Sequence, residues 1–361
     1  MIENEMMKYG FNSFFQKEVK KLGLENKDLS GLNIARITEV HREKYKIINK
    51  YGEKSASLKG SVFYNDSINE IYPVVGDFVM AKQNELGEDI IFKVLSRKSK
   101  FSRMDTFNSK EQIVATNFDY VFIVSSLNDE FNIKRLERYL AISWESGATP
   151  IIVLTKSDLC ENYDFYKNQI DKIDSFATVI KVSSFTGEGL DKLEKYINPY
   201  ETIVFLGSSG VGKSTLVNRI SDENIMKVND IRVGDAKGKH TTTHRQLVVL
   251  KNGTMIIDTP GMREIGMWSA SSGVDKTFSD IEEYASICKF TNCTHTKEPG
   301  CMIIDALATG KISEERWKNY KKLKKEVLFA KKKEDLNLRL KEKERRKKFA
   351  KQIRQKYKSV R

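Results

Sequence analysis

The chain has 361 residues, 40% of them apolar, which is long enough for two or three domains with separate cores. No apolar run approaches the roughly 18 residues of a membrane span, and the first 21 residues carry acids and no apolar leader core; the sequence therefore predicts a cytoplasmic protein without a membrane partner. The net charge of +13 is segregated, with 22 Lys+Arg against 7 Asp+Glu in residues 311–361 and 40 against 42 in residues 1–310. A near-neutral body with a basic tail excludes a uniformly basic chain and predicts a polyanionic partner for the tail.

In chain order, residues 1–33 read as a helical extension with one short amphipathic helix in FNSFFQKEVKKLG. Residues 34–98 hold short β-rich runs, IARITEVH, YKIIN, SASLKG, PVVGDFVMAK and DIIFKVL, separated by turn residues. This pattern predicts a small barrel, of the OB type in preference to an SH3-like module. Residues 101–270 alternate strands and helices: YVFIVSSL, then NIKRLERYLAISWESG with Ile133, Leu136, Leu140 and Trp144 at helical spacing, then TPIIVLTKSDL, a helix near 162–174, ATVIKVSS and EGLDKLEKYI. TIVFLGSSGVGKSTLVNRI follows as strand, loop and helix, and QLVVLKNGTMIIDTPG as a hairpin with an Asn-Gly turn. The expected sheet is mostly parallel with one antiparallel edge. A Cys/His segment (275–310) and a charged helical tail (311–361) complete the chain, and no internal repeat is found.

Gly207, Ser208, Ser209, Gly210, Val211, Gly212, Lys213, Ser214 and Thr215 spell a phosphate-binding loop between a strand and a helix. Its glycines let backbone N–H groups turn toward phosphates, Lys213 supplies a cation, and Ser214 is a Mg²⁺ ligand. Asp258, at the end of the apolar strand MIID, and Gly261 form an Asp-x-x-Gly element, the acid facing Mg²⁺ and the Gly261 N–H the γ-phosphate. Thr155-Lys156-Ser157-Asp158 offers Asp158 to the donors on a guanine edge, with the Lys156 stem over the base. The alternative for these residues is a loop leading to a helix N-cap. Ser183 and Ser184, in VSSFTGEGL, supply a second base-reading loop, with the Ser184 N–H facing the guanine O6.

These elements are GTPase parts in an unusual order: base readers first, then phosphate loop, switch and Asp-x-x-Gly. Joining old termini and opening new ones leaves such a sheet intact, since domain termini lie close together. The expected fold is multi-domain: an OB-type barrel, a circularly permuted α/β P-loop GTPase domain, and a small zinc-binding domain with a basic helical tail. Cys288, Cys293, His295 and Cys301 supply three thiolates and one imidazole, the complement of one structural Zn²⁺; a redox cluster is the alternative. Cys160, alone after the first base reader, reads as an inert core thiol.

The residue after Asp-x-x-Gly is Met262, which cannot orient a water as Gln does, so unaided hydrolysis is expected to be slow, on the order of 10⁻⁴–10⁻² s⁻¹. In GKHTTTH, Thr242 is assigned to Mg²⁺ in the GTP state, and His244 to solvent or to packing on the edge strand. Trp317, Tyr320, Leu323 and Leu328 are expected to pack on the zinc segment. If the tail neutralises about six phosphates, affinity falls roughly 10³-fold between 50 and 200 mM salt.

The permuted order, GKHTTTHRQL, DTPG, PVVGDFV, NIKRLERYL and the Cys/His segment together resemble the ribosome small-subunit-dependent GTPase A family, over roughly residues 34–310. The resemblance implies a monomer that binds GTP/GDP with Mg²⁺, the 30S subunit and 16S rRNA. It also implies late small-subunit maturation, release of another assembly factor, and GTP hydrolysis stimulated by the subunit. His240 matches that family's switch histidine, which would place the attacking water; a solvated or rRNA-contacting loop residue is the alternative. Lys213, Thr242 and His240 are thus the catalytic candidates. The competing functional readings are a permuted GTPase acting on another RNA, and an RNA-binding module that senses GTP/GDP without useful turnover.

Overall fold

The computed structural model describes residues 2–25, 31–41, 44–59, 72–84, 87–104, 111–173, 177–222, 246–258, 270–333 and 336. The chain begins with two helices, α1 (Ile2–Met7) and α2 (Ser13–Glu25), where the sequence predicted one. They are held by burial: Met6, Phe11 and Phe15 share a core with Phe78, Met80 and Leu95. The Phe15 and Phe78 rings lie 4.4 Å apart, so the extension is packed on the barrel rather than trailing from it.

Strands β1 (Leu32–His41), β2 (Lys44–Asn49), β3 (Gly52–Leu58), β4 (Phe78–Lys82) and β5 (Asp89–Val94) close into a barrel. Their order is β1-β2-β3-β5-β4 with β4 returning to β1, and β3–β5 is the one parallel pair in it. This is the OB-type arrangement. Alternate residues point inward, and Ala35, Ile37, Tyr45, Ile47, Ala56, Leu58, Val79, Ala81 and Ile91 fill the interior. The PVVGDFV segment is a joint. A Cβ on Gly76 would stand 2.1 Å from the Thr116 carbonyl oxygen, at a φ of +94°, so only glycine fits there. Buried Asp77 accepts from Arg97, Thr116 and the Val74 N–H.

A hairpin of β6 (Lys100–Met104) and β7 (Glu111–Thr116) follows, an element the sequence reading did not anticipate. The α/β domain comprises β8 (Tyr120–Ser126), α3 (Ile133–Ser146), β9 (Thr149–Thr155), α4 (Tyr163–Ile170), β10 (Thr178–Lys181), α5 (Leu190–Leu193), β11 (Thr202–Leu206), α6 (Lys213–Ser221), β12 (Gln246–Val249) and β13 (Met255–Asp258). Its spatial order is β10-β9-β8-β11-β13-β12, parallel except for the β12–β13 hairpin. The chain therefore runs outward through one half, returns to the centre at β11, and then builds the other half. That route is the permutation expected from motif order. The antiparallel strand β12 is not a free edge, because β1 meets it at Glu39 and Gln246. The β12–β13 turn spans five residues, closed by Leu250 N to the Thr254 oxygen and Gly253 N to the Leu250 oxygen.

Helices α7 (Ser271–Thr277), α8 (Ser279–Ser286), α9 (Met302–Ala308) and α10 (314–333) complete the structure. Gly273 on α7 allows backbone contact with α3: a Cβ there would be 1.9 Å from the Ala141 oxygen. The start of the tail is thus integrated. Trp317 stands edge-on to His295, with centroids 5.9 Å apart, and stacks on Tyr320, while Leu323 and Val327 are buried. Leu328 was expected to pack and does not; it is 56% exposed, because the buried stripe runs through Val327 one residue earlier. Among the described residues no helix is long and apolar enough to cross a membrane.

Candidate functional site

The phosphate loop follows β11, whose residues are all buried. Gly207 has a φ of +151°, and a Cβ there would meet the Val124 oxygen at 2.4 Å; this fixes the loop against β8. Gly212 precedes α6 in the left-handed region, leaving the first-turn N–H groups of a nine-residue helix pointing into the loop. The Lys213 ammonium stands inside the loop, donating to the Gly207 oxygen at 2.7 Å and to the Ser208 oxygen. Ser214 and Thr215 occupy the first turn.

The two segments expected to read a base converge on the same sheet end. Thr155, the last residue of β9, is buried, and its hydroxyl donates to the Val211 carbonyl at 2.6 Å. One hydroxyl thus braces the TKSD segment directly to the phosphate loop, which gives threonine a defined role in place of the commoner asparagine. Lys156 takes a left-handed φ of +59°, turning the chain so that Ser157 and Asp158 lie on a short 3₁₀ turn. The Ser183 hydroxyl donates to Asp158 Oδ1 at 2.5 Å and accepts from the N–H groups of Phe185 and Thr186. The Ser157 hydroxyl donates to Glu188 at 2.9 Å, while the Ser157 N–H bonds to the Val182 oxygen. Lys181 pairs with Glu188 at 2.8 Å, and its hydrogen bond, followed by that of Ser157, holds the Glu188 carboxyl below the usual range. Among the described residues the Ser184 N–H has no protein acceptor.

Beside the phosphate loop a cavity of about 560 Å³ opens, lined by Asp129, Phe131, Asn132, Arg135, Ser208 and Ser209. Asn132 caps α3 through the Arg135 N–H, and the Arg135 guanidinium donates to the Ser208 hydroxyl. Arg135 was not singled out from sequence; its signal, an arginine three residues past a helix cap, is ordinary until the fold brings it to the loop. Asp258 ends β13, the strand paired with β11. Gly261, Met262, His240, Thr242 and His244 lie outside the described residues.

The Cys288, Cys293, His295 and Cys301 ligand atoms all lie within 4.8 Å of one another. Cys288 and Cys301 Sγ are 3.9 Å apart, and His295 Nδ1 is 3.6 and 3.5 Å from them. Tetrahedral zinc with bonds of about 2.3 Å to sulfur and about 2.0 Å to nitrogen requires edges of about 3.8 and 3.5 Å, so the cluster fits that ion. His295 adopts a left-handed φ of +57°. Its loop is knotted by Glu298, which accepts from the N–H groups of Thr294, Thr296 and Lys297. Cys160 is half-buried against the main core.

The fold and the loop define a class: a circularly permuted P-loop GTPase with an N-terminal OB-type barrel and a C-terminal Cys₃His cluster. Residues 94–268 match the family model of the RsgA GTPase, and residues 202–338 that of a 50S ribosome-binding GTPase. The chain is 43% identical over 347 residues, 96% of each chain, to the small ribosomal subunit biogenesis GTPase RsgA 1 of Listeria innocua. It is 44% identical over 280 residues, 77% of this chain and 76% of the other, to RsgA of Methanosarcina acetivorans. Among solved structures, YjeQ from Thermotoga maritima superposes with a TM-score of 0.60 at 25% identity, over 82% of this chain and 98% of that one. YloQ, described as a circularly permuted GTPase, superposes at 0.55 and 24% identity, over 86% and 98%, a likeness of fold. The chain belongs to the RsgA GTPase family and is a GTPase.

Proposed function

We propose that this GTPase serves biogenesis of the small ribosomal subunit in the cytoplasm, as a monomer that binds the 30S subunit and 16S rRNA. The barrel, the Cys/His segment and the basic tail grip the subunit, GTP sets the affinity, and hydrolysis, slow alone and stimulated by the subunit, triggers release together with another assembly factor. The observation that carries the site assignment is the Thr155–Val211 hydrogen bond, which couples a base reader to a phosphate cradle across 56 residues of chain. The names of the relatives support the ribosomal target.

In this reading Asp158, oriented by Ser183, accepts from the guanine edge, and the Ser184 N–H donates to its O6. Residues 207–215 wrap the phosphates through backbone N–H groups, and Lys213 moves from its loop carbonyls to the β/γ oxygens. Arg135 adds a second positive charge beside Ser208. Ser214, Thr242 and Asp258 would hold Mg²⁺, which neutralises developing phosphate charge when bound. Water attacks the γ-phosphate in line, positioned by His240 in place of the glutamine that Met262 replaces. Cys288, Cys293, His295 and Cys301 would hold one Zn²⁺ as a structural closure of the C-terminal segment.

The test is multiple-turnover hydrolysis of GTP and ATP with and without 30S subunits, on protein whose zinc content is read by native mass spectrometry. Turnover of GTP alone that rises sharply with subunits, in protein carrying one zinc, is the expected result. Basal turnover with subunits that do not bind would remove the ribosomal assignment, and a metal-free folded protein would remove the zinc.

A further inference from the structure

The charged side chains of α3 are answered from elsewhere in the fold, with one exception. Lys134 pairs with Glu315 at 3.3 Å, Glu137 with Arg316 at 2.6 Å and Arg138 with Glu326 at 2.7 Å, all across to α10. Glu145 accepts from the Ser272 hydroxyl and the Gly273 N–H. Arg135 is the exception: among the described residues its guanidinium meets no carboxylate and donates to the neutral Ser208 hydroxyl. An exposed arginine on a helix is ordinary, but this one is set against the phosphate loop. Its own N–H is fixed by the Asn132 cap, and the ion pairs to α10 hold the helix that carries it. The Lys213 ammonium donates to the carbonyl of the same Ser208, so two cations stand on one residue of the loop. Asp129 and Glu130 line the cavity beside Ser208 and Ser209. Their charges repel an anion, and Arg135 is the cation on that wall that offsets them.

We propose that Arg135 leaves the Ser208 hydroxyl to bind the terminal phosphate of GTP, and so makes the site distinguish GTP from GDP. The inference rests on the assignment of residues 207–215 to the phosphates. Backbone N–H groups of the loop and of the first turn of α6 wrap the inner phosphates. The terminal phosphate projects beyond that cradle and brings three oxygens that need partners. A planar guanidinium arriving from the α3 side can bond two of them at once, which an ammonium cannot do. Because α3 is already fixed, the contact needs only a side-chain rotation from a neutral acceptor to a charged one. GDP lacks those oxygens, so the same arginine adds little to its binding.

The experiment is a calorimetric titration of GDP and of the non-hydrolysable analogue GMPPNP, each with Mg²⁺, into the full chain and its Arg135→Ala, Arg135→Gln and Arg135→Lys variants. Arg135→Ala should weaken GMPPNP about tenfold or more and leave GDP within about twofold, the difference expected for one lost charge-assisted hydrogen bond. Arg135→Gln should behave like Arg135→Ala. Arg135→Lys, which keeps the charge without the fork, should recover part of the loss. In phosphorus NMR of the GMPPNP complex, the γ resonance should move between the parent and Arg135→Ala while the α resonance stays. The melting temperature of Arg135→Ala should match the parent, since the side chain is exposed. An equal effect on GDP and GMPPNP, none included, overturns the proposal and leaves Arg135 as a brace of the loop through Ser208; so does an unmoved γ resonance. A parent that binds neither nucleotide overturns the phosphate-loop reading and this inference with it.

Discussion

Two buried arginines join the outer parts of this molecule to its GTPase sheet, and they do so by different physics. Arg36, on β1, is fully enclosed where the barrel, the N-terminal helices and the sheet meet. It donates to the carbonyls of Tyr9, Gly76 and Asn117 at 2.6, 3.3 and 2.8 Å and lies over Phe78. Burial pushes its pKa down to about 10, while Asp119 and Asp77 oppose this only through longer-range attraction. Arg316, on α10, also lies over a phenylalanine, Phe278, but it is gripped by Glu137 at 2.6 Å and by Asp280 at 2.6 and 2.9 Å. Burial alone would lower its pKa, but its hydrogen bonds to Asp280 and Glu137 and their charges together outweigh that, so the value is raised. The barrel joint is thus made of backbone dipoles, whereas the tail joint adds ion pairs to the two carbonyls, of Ile173 and Thr277, that Arg316 also reaches. Carbonyls carry no charge to strand when the arginine goes; a buried carboxylate does.

The largest effect is accordingly expected at the tail joint. Arg316→Met leaves Glu137, only 2% exposed, with Asn319 as its remaining side-chain partner, and an uncompensated buried charge costs about 3–5 kcal/mol. Burial already pushes the Glu137 carboxyl upward, so its neutral form is tolerated. The double variant Glu137→Gln with Arg316→Met should regain most of the loss in urea unfolding. A single-variant loss below about 1 kcal/mol, or no recovery in the double, would show that the pair does not hold α10 to α3.

Arg36→Met should cost less, about 2–3 kcal/mol. Three carbonyls lose a donor, each worth roughly 1 kcal/mol or more, but the protein no longer buries an unpaired guanidinium. The sharper distinction is rescue. Neither Asp77→Asn nor Asp119→Asn should restore Arg36→Met, because Asp77 is engaged by Arg97 and Thr116 and Asp119 by Lys98. Recovery with either acid removed would mean that this joint is ionic after all.

Neither joint was legible in the sequence, whereas the phosphate loop of the GTPase domain was, and the placing of the TKSD run after a strand. The phosphate loop and the TKSD run are contiguous, so their spacing alone carries their geometry. The role of Thr155 emerged only when the fold brought Val211 to it. Arg36 sits in IARITEVH, where alternation marks it as an outward residue of a strand, and nothing local says that its outward side is covered by Tyr9, in the turn between α1 and α2, and by Met255 of β13. Arg316 sits in a run of charge that reads as solvated. The inward stripe there, buried Arg316, Leu323 and Val327 with half-buried Tyr320 between them, keeps helical spacing, but half of it is polar, and the apolar spacing points to Leu328 instead. The β6–β7 hairpin was missed because its buried apolar residues, Phe101, Val114 and Ala115, are too few to show a period.

The smallest expected effect is also the one that separates the joints by pH. Around the tail joint, Glu282 accepts from Tyr320 at 2.8 Å and pairs with Lys324 at 2.9 Å. Burial alone would raise its carboxyl, and the hydrogen bonds from Lys324 and Tyr320 bring it below the usual range. A carboxyl lowered by folding stabilises the native state fully above its unfolded pKa, about 4.3, and that contribution is lost as the pH falls through the lower folded value. The pair is about one-third exposed, so its worth is under about 1 kcal/mol. In thermal unfolding from pH 7 to pH 3 the parent should stay slightly more stable than Glu282→Gln down to about pH 4.5 and then lose that margin. The deficit of Arg36→Met should stay flat over the same range, since carbonyl oxygens do not titrate there. A margin for the parent over Glu282→Gln that survives unchanged at pH 3 would assign the contribution to packing of the side chain, and the ionic character of the tail joint would then rest on Arg316 alone.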